Sequence, residues 1–187
     1  MSGERAWVET VRADVENTLA GRDLIVETGR RLPYAIHVTG YHAMPGVDAT
    51  PQLATHGYQT DLLIAERLLG SAAWVPRVVI EFKLGRVTTH DVLTYSAKAA
   101  THKNLHPYLR YGIVIGKFEG AVPRRLIRHG HHFDFMLTLG SEALTSGDRD
   151  RLIQLIREEV EASQKISAVL AGKSDVYLLH RQLVMAR

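Results

Sequence analysis

Residues 58–85 read Y-Q-T-D-L-L-I-A-E-R-L-L-G-S-A-A-W-V-P-R-V-V-I-E-F-K-L-G. Two apolar, β-branched runs flank Gly70-Ser71, the pattern of two antiparallel strands joined by a tight connection. The first run carries Asp61, and the second carries Glu81 and Lys83 within V-V-I-E-F-K-L-G. Side chains alternate along a strand, so Glu81 and Lys83 share one face while Ile80, Phe82 and Leu84 share the other. A hairpin centred on Ser71 sets Asp61 directly opposite Glu81, unless a bulge near Pro76 shifts the register by one. Residues opposed in this way have Cβ atoms about 4.5–5.5 Å apart, close enough for two carboxylates to hold one cation. Like charges so placed repel and need compensation, which a divalent metal would supply with Lys83 beside it. The alternative is a surface hairpin with scattered charges. Against it stands the bracketing of those charges by V-V-I and by apolar Phe82 and Leu84.

Upstream, residues from Gly3 to Ala20 predict an amphipathic helix with Trp7 or Val8, Val11, Val15 and Leu19 as its buried stripe and Gly21 as C-cap. Glu16 borders that stripe. From Asp23 to Thr39 the pattern turns β-like, with Leu24-Ile25-Val26 and then the run from Tyr34 to Val38. The stretch from Gly40 to Gly57, holding Gly40, Pro45, Gly46, Asp48 and Pro51, predicts a long loop, either ordered and DNA-contacting or disordered.

Downstream, Thr88 opens a helix with Asp91 three residues on, a near capping box, running to about Asn104. Its small residues Ser96, Ala97, Ala99 and Ala100 suit close packing on a sheet. Tyr95, Lys98 and His102 lie three to four apart and share a face, either toward the site or as an exposed polar stripe. His102 and His106 have the i, i+4 spacing of a metal pair, but lack the Glu of H-E-x-x-H, and Pro107 ends the helix there. Solvated or phosphate-facing histidines are the favoured reading. Residues 110–116, R-Y-G-I-V-I-G, predict a buried strand reached by a crossover. Residues 123–132, P-R-R-L-I-R-H-G-H-H, are the most basic stretch. Arg124, Arg125 and Arg128 read as a solvated face or a nucleic-acid patch, whereas zinc binding by His129, His131 and His132 has little support without cysteine. His132 to Leu139 predicts a strand with Phe133, Phe135 and Leu137 on one side, and Asp148 to Ala171 a helix with Leu152, Ile156 and Val160 inward. The stretch from Asp175 to Leu179 reads as a last strand or a short helix.

An Asp on one strand followed by E-x-K on the next, both among apolar neighbours, resembles the PD-(D/E)XK nuclease superfamily, the restriction-endonuclease-like fold. Asp61, Glu81 and Lys83 fall on the motif positions, with Thr60 where the motif has Pro. The order helix, strand, strand with Asp, strand with E-x-K, helix, strand, strand, helix extends the resemblance from Gly3 to Ala171. It implies a single α/β domain over residues 1–187, a mixed sheet flanked by helices. The implied activity is Mg²⁺-dependent hydrolysis of DNA phosphodiester bonds, with Mn²⁺ as substitute. By the same resemblance Asp61, Glu81 and the Phe82 carbonyl would ligate the metal, and Glu16 of the first helix is a further candidate ligand. Lys83 would orient or deprotonate the attacking water, and Tyr95 and Lys98 would reach the phosphate. Restriction-type cleavage leads, because the chain carries no helicase or ATPase motif, and a homodimer is expected if both strands of a symmetric site are cut. The rivals are a repair, recombination or junction-resolving nuclease, a non-catalytic relative that binds nucleic acid or protein, and an unrelated histidine metalloprotein.

Bulk properties are compatible with this reading. The 187 residues allow one domain with a sizeable core, with 45% hydrophobic and 23% charged residues. A net charge of +3 and a pI near 9.3 permit a polyanionic partner without requiring one. The absence of cysteine excludes disulfides and thiolate metal sites, and fits an intracellular, cytoplasmic protein. No apolar run approaches the ~18 residues of a membrane span, and the first residues, M-S-G-E-R-A-W, lack a signal peptide's apolar centre.

Overall fold

The strand carrying Glu81 becomes the middle of a five-stranded sheet. The computed structural model describes residues 3–19, 23–44 and 47–173. Strand β5 (Trp74–Leu84) is buried without a break from Pro76 to Phe82, as a strand covered on both faces must be. Its neighbours are β4 (Leu62–Arg67), antiparallel, and β6 (Arg110–Gly116), parallel. Strand β1 (Leu24–Glu27) lies antiparallel outside β4, and β7 (Phe135–Thr138) parallel outside β6, giving the order β1-β4-β5-β6-β7. The sheet is therefore mixed, with its parallel half linked by α2 (Thr89–Leu105).

Alternation along the strands feeds two cores. Val78, Ile80 and Phe82 join the core under α1 (Gly3–Leu19) and α4 (Ser146–Leu170). Val79 joins Leu63, Tyr111, Ile113 and Ile115 under α2 and α3 (Arg124–His129). The predicted stripe of α1 is buried in full at Trp7, Val8, Val11, Val15 and Leu19. Trp7 meets Phe82 edge to face at 5.3 Å, an arrangement worth about 0.5–1.5 kcal/mol beyond area burial. The same indole requires glycine at position 116, where a Cβ would come within 2.4 Å of the ring. The Thr88–Asp91 capping box forms as predicted, and Leu152, Ile156 and Val160 of α4 face inward.

Three expectations are corrected. The described residues of the stretch from Gly40 to Gly57 do not form a loop. They belong to a separate antiparallel ribbon of β2 (Arg31–Met44) and β3 (Val47–Gln59), paired as far as Met44↔Val47. Register irregularities near Gly40 absorb the misfit, and Pro51 pairs with Tyr41 in a ribbon whose strands are both edges. A missing N–H is tolerated there. Second, His102 and His106 form neither a metal pair nor a solvated pair: His102 Nε2 donates to the Leu32 carbonyl at 3.1 Å and His106 Nε2 to the Pro33 carbonyl at 3.0 Å. They fasten the ribbon to α2, and His102 is fully buried rather than part of an exposed stripe. Third, Phe133 precedes β7 and enters the α2 side of the core, while Phe135 and Leu137 enter the α1 side. Gly21 and the stretch from Asp175 to Leu179 lie outside the described residues.

Burial pushes the His102 imidazole down to about 4 from an ordinary 6.5. Its contribution is complete above the unfolded value and is lost as pH falls from 6.5 toward 4, because the unfolded chain takes up the proton first. A His102→Phe protein keeps a ring against Tyr111, whose centroid lies 5.6 Å away, but cannot protonate. Urea unfolding against pH should show it less stable at pH 7, by about 1 kcal/mol for the lost hydrogen bond. Its acid limb should also be flatter, by up to about 1.4 kcal/mol per pH unit at the steepest point. Parallel pH profiles would refute the neutral buried histidine.

Candidate active site

The hairpin register brings the two predicted carboxylates together. Pairing runs Leu62↔Ile80, Leu63↔Val79 and Ile64↔Val78, so the next positions outward are Asp61 and Glu81. The anticipated bulge is present between Ile64 and Ala65, opposite Val78 and Pro76. Toward the connection the pairing runs Ala65↔Pro76 and Glu66↔Val75, a count that would set Asp61 opposite Ile80; the extra residue shifts it by one and sets Asp61 opposite Glu81. Arg77, the extra residue, reaches Glu66 at 2.7 Å and Ser167 Oγ at 2.6 Å. Thr60 is fixed in turn, its Oγ1 donating to the Arg30 carbonyl at 3.0 Å, which sets the entry of Asp61.

Asp61 Oδ2 accepts the Phe82 N–H at 2.9 Å, tying it across to β5. Glu81 is only 1% exposed and faces the α2 side. Its Oε1 accepts the Tyr111 hydroxyl at 2.5 Å and lies 3.5 Å from Lys98 Nζ. Burial and then the charge of Asp61 push the Glu81 carboxyl up to about 7, against the opposing pull of Lys98 and Tyr111. Burial and the same carboxylates also raise the Tyr111 and Tyr95 phenols, which remain neutral donors.

Lys98 thus lies beside Glu81, with its ammonium 5.3 Å from the Tyr95 ring centre and 5.8 Å from that of Tyr58. Lys83 sits at the strand end, a quarter exposed, with Glu4 Oε2 3.7 Å from its Nζ. Glu4 also accepts the Leu84 N–H at 2.9 Å. Glu16 lies elsewhere: it is exposed and pairs with Arg12 on α1. The acid that α1 brings to the E-x-K strand is Glu4. No sequence signal marked it, because it lies in the first turn outside the apolar periodicity. Tyr111 was likewise read only as part of a buried strand, although a hydroxyl in an otherwise apolar run needs a partner.

Arg124, Arg125 and Arg128 fall on α3 and, with Thr89, Pro123 and His129, line an open concavity of ≈ 520 Å³ at the start of α2. Arg125 donates to the Val87 carbonyl at 3.1 Å, and Arg124 and Arg128 are exposed. Among the described residues no three of His, Asp and Glu converge closely enough to hold a metal ion. A cation at Asp61 and Glu81 would draw its other ligands from backbone carbonyl and water. No helix among the described residues is long and apolar enough to cross a membrane. No protein-family model matches the chain, and no curated protein matches it in sequence.

A carboxyl raised in the fold contributes stability below its unfolded value of 4.5 and loses it as pH rises through about 7. Glu81→Gln keeps an acceptor for Tyr111 and removes the ionisation. In EDTA it should unfold at higher urea than the parent at pH 8, by about 1–3 kcal/mol, with the gap closing near pH 5. Equal stability at pH 8 would mean that Glu81 ionises without penalty.

Proposed function

We propose that this chain is a metal-dependent deoxyribonuclease of the restriction-endonuclease-like kind, cutting DNA phosphodiester bonds at Asp61, Glu81 and Lys83. One observation carries the reading: two carboxylates meet at the end of an antiparallel strand pair, and burial, then the charge of Asp61, raises the carboxyl of Glu81. Ionised carboxylates are seldom brought together in a sheet interior without a cation to justify them. The arrangement of helix, antiparallel β1, β4 and β5, crossover α2 and parallel β6 supports the resemblance carried by the motif.

The donors fit Mg²⁺. Asp61, Glu81 and the Phe82 carbonyl are hard oxygen ligands, and Mg²⁺ binds through one or two carboxylates while keeping several waters. Mn²⁺ would substitute. Such an ion supplies acidification of a bound water and neutralisation of charge on the phosphate. Lys83, at the open strand end, orients the attacking water and offsets the growing negative charge. Tyr95 donates from α2 to a phosphate oxygen. Arg124, Arg125 and Arg128 neutralise phosphates of the flanking backbone, and the start of α2 beside them adds its N-terminal dipole.

Asp61→Ala should reduce Mg²⁺-dependent cleavage of plasmid DNA by more than ~10²-fold while DNA binding persists or tightens, since a negative charge has left the phosphate path. A variant that cuts at the parent rate would overturn the assignment.

The arginines are tested separately. Replacing any one of the three with Ala should flatten the log–log salt dependence of DNA binding by about one unit, measured by fluorescence anisotropy. Unaltered slopes for all three would return α3 to a solvated face.

A further inference from the structure

Two lysines lie near the carboxylate pair, and the structure separates their roles. Lys83, the lysine of the E-x-K pattern, has Glu4 as its carboxylate neighbour, 3.7 Å away at the strand end. Lys98, from α2, is the one whose ammonium faces Glu81, at 3.5 Å from Oε1. That distance is long for a charge-assisted hydrogen bond, which typically closes to about 2.7–2.9 Å. Glu81 Oε1 gives its short contact, 2.5 Å, to the Tyr111 hydroxyl. The ammonium is therefore close enough to share the charge of the pair without being locked to it.

On its other side the same ammonium has somewhere to go. The ring centres of Tyr95 and Tyr58 lie 5.3 and 5.8 Å from Nζ, inside the ~6 Å range over which a ring face attracts a cation. Tyr95 precedes Lys98 by one helical turn, and Tyr58 is delivered by β3 and backed by Tyr34, stacked on it at 3.9 Å. A carboxylate station and an aromatic station thus adjoin. Among the described residues no third acid converges on the pair closely enough to hold a metal, and Lys98 is the cation placed against Glu81.

We propose that Lys98 is a tethered counter-ion: it neutralises Asp61 and Glu81 in the metal-free protein, and a divalent cation entering the pair displaces it toward Tyr58 and Tyr95. This deepens the metal-site reading and rests on it. Metal and ammonium compete for one pair of carboxylates, so each weakens the other's hold by the same factor. The displaced ammonium remains beside the site, where an incoming phosphate is its next partner. Lys98 accordingly lowers affinity for the metal while protecting the empty site from its own repulsion.

The test is calorimetric titration of Mg²⁺ into the full chain at about pH 8.5 for the parent, Lys98→Met, Lys98→Gln and Lys83→Met. Both Lys98 variants should bind Mg²⁺ at least ~5-fold more tightly than the parent, the low end of the usual coupling between competing sites. In the metal-free state they should also melt at lower temperature, with the deficit removed by saturating Mg²⁺. Lys83→Met should bind with parent-like affinity. If either Lys98 variant folds, as judged by circular dichroism, and binds Mg²⁺ no more tightly than the parent, the counter-ion role is refuted and the metal site stands. A parent that binds no Mg²⁺, or binds it equally well after Asp61→Ala, overturns both.

Discussion

A carboxylate buried inside a sheet beside a second carboxylate is the constraint on which this molecule depends. Glu81 sits in the most protected strand, with apolar residues at Ile80 and Phe82 turned to one core and Val79 to the other. Ionising it against Asp61 in that environment opposes folding, so the surroundings must compensate in stages. The Tyr111 hydroxyl donates to one oxygen, Lys98 lends a positive charge, and the Phe82 N–H holds Asp61. Each of these groups is supplied by a different element: β6, α2 and β5. The α/β layering serves to bring Tyr111 and Lys98, distant in sequence, to one pair of acids, and the two apolar cores hold the layers in place.

Much of this was legible in the sequence, for a definite reason. The period of a strand and the count across a hairpin are local, and a hairpin centred on Ser71 already pairs Asp61 with Glu81. That pairing holds because the bulge at Arg77 adds one residue between the connection, where the pairs centre between Gly70 and Ser71, and the carboxylate end. The capping box at Thr88 and the stripe of α1 were legible for the same reason.

What was not legible depends on contacts made across the fold. Gly40, Pro45, Gly46 and Pro51 carry the composition of a loop, and nothing local distinguishes a loop from a ribbon whose two strands are both edges. Alternation at Tyr34, Ile36 and Val38 and again at Leu53 and Thr55 was the available signal. It was weakened because Ile36, Val38 and Leu53 remain exposed and so define no buried face. The histidines at 102 and 106 suggested a metal by spacing, but their acceptors are backbone carbonyls of Leu32 and Pro33, about seventy residues away. Glu4 reaches Lys83 by the same long-range logic.

The ribbon and the acid pair are mechanically joined. His102 and His106 anchor β2 to α2, and Lys98 stands one turn before His102 on the same helix. Tyr58, from the ribbon's second strand, lies edge-on to His102 at 5.8 Å and faces the Lys98 ammonium. Tyr58 thus forms one wall of the space around that ammonium, and the chain of the same strand runs on through Gln59 and Thr60 into Asp61. His102 Nε2 donates to the ribbon's Leu32 carbonyl, and burial keeps the ring neutral well into the acid range. The docking thus stays intact over the same interval in which Glu81 exchanges its proton. That separation allows the charge of the site to change without disturbing the frame that holds it.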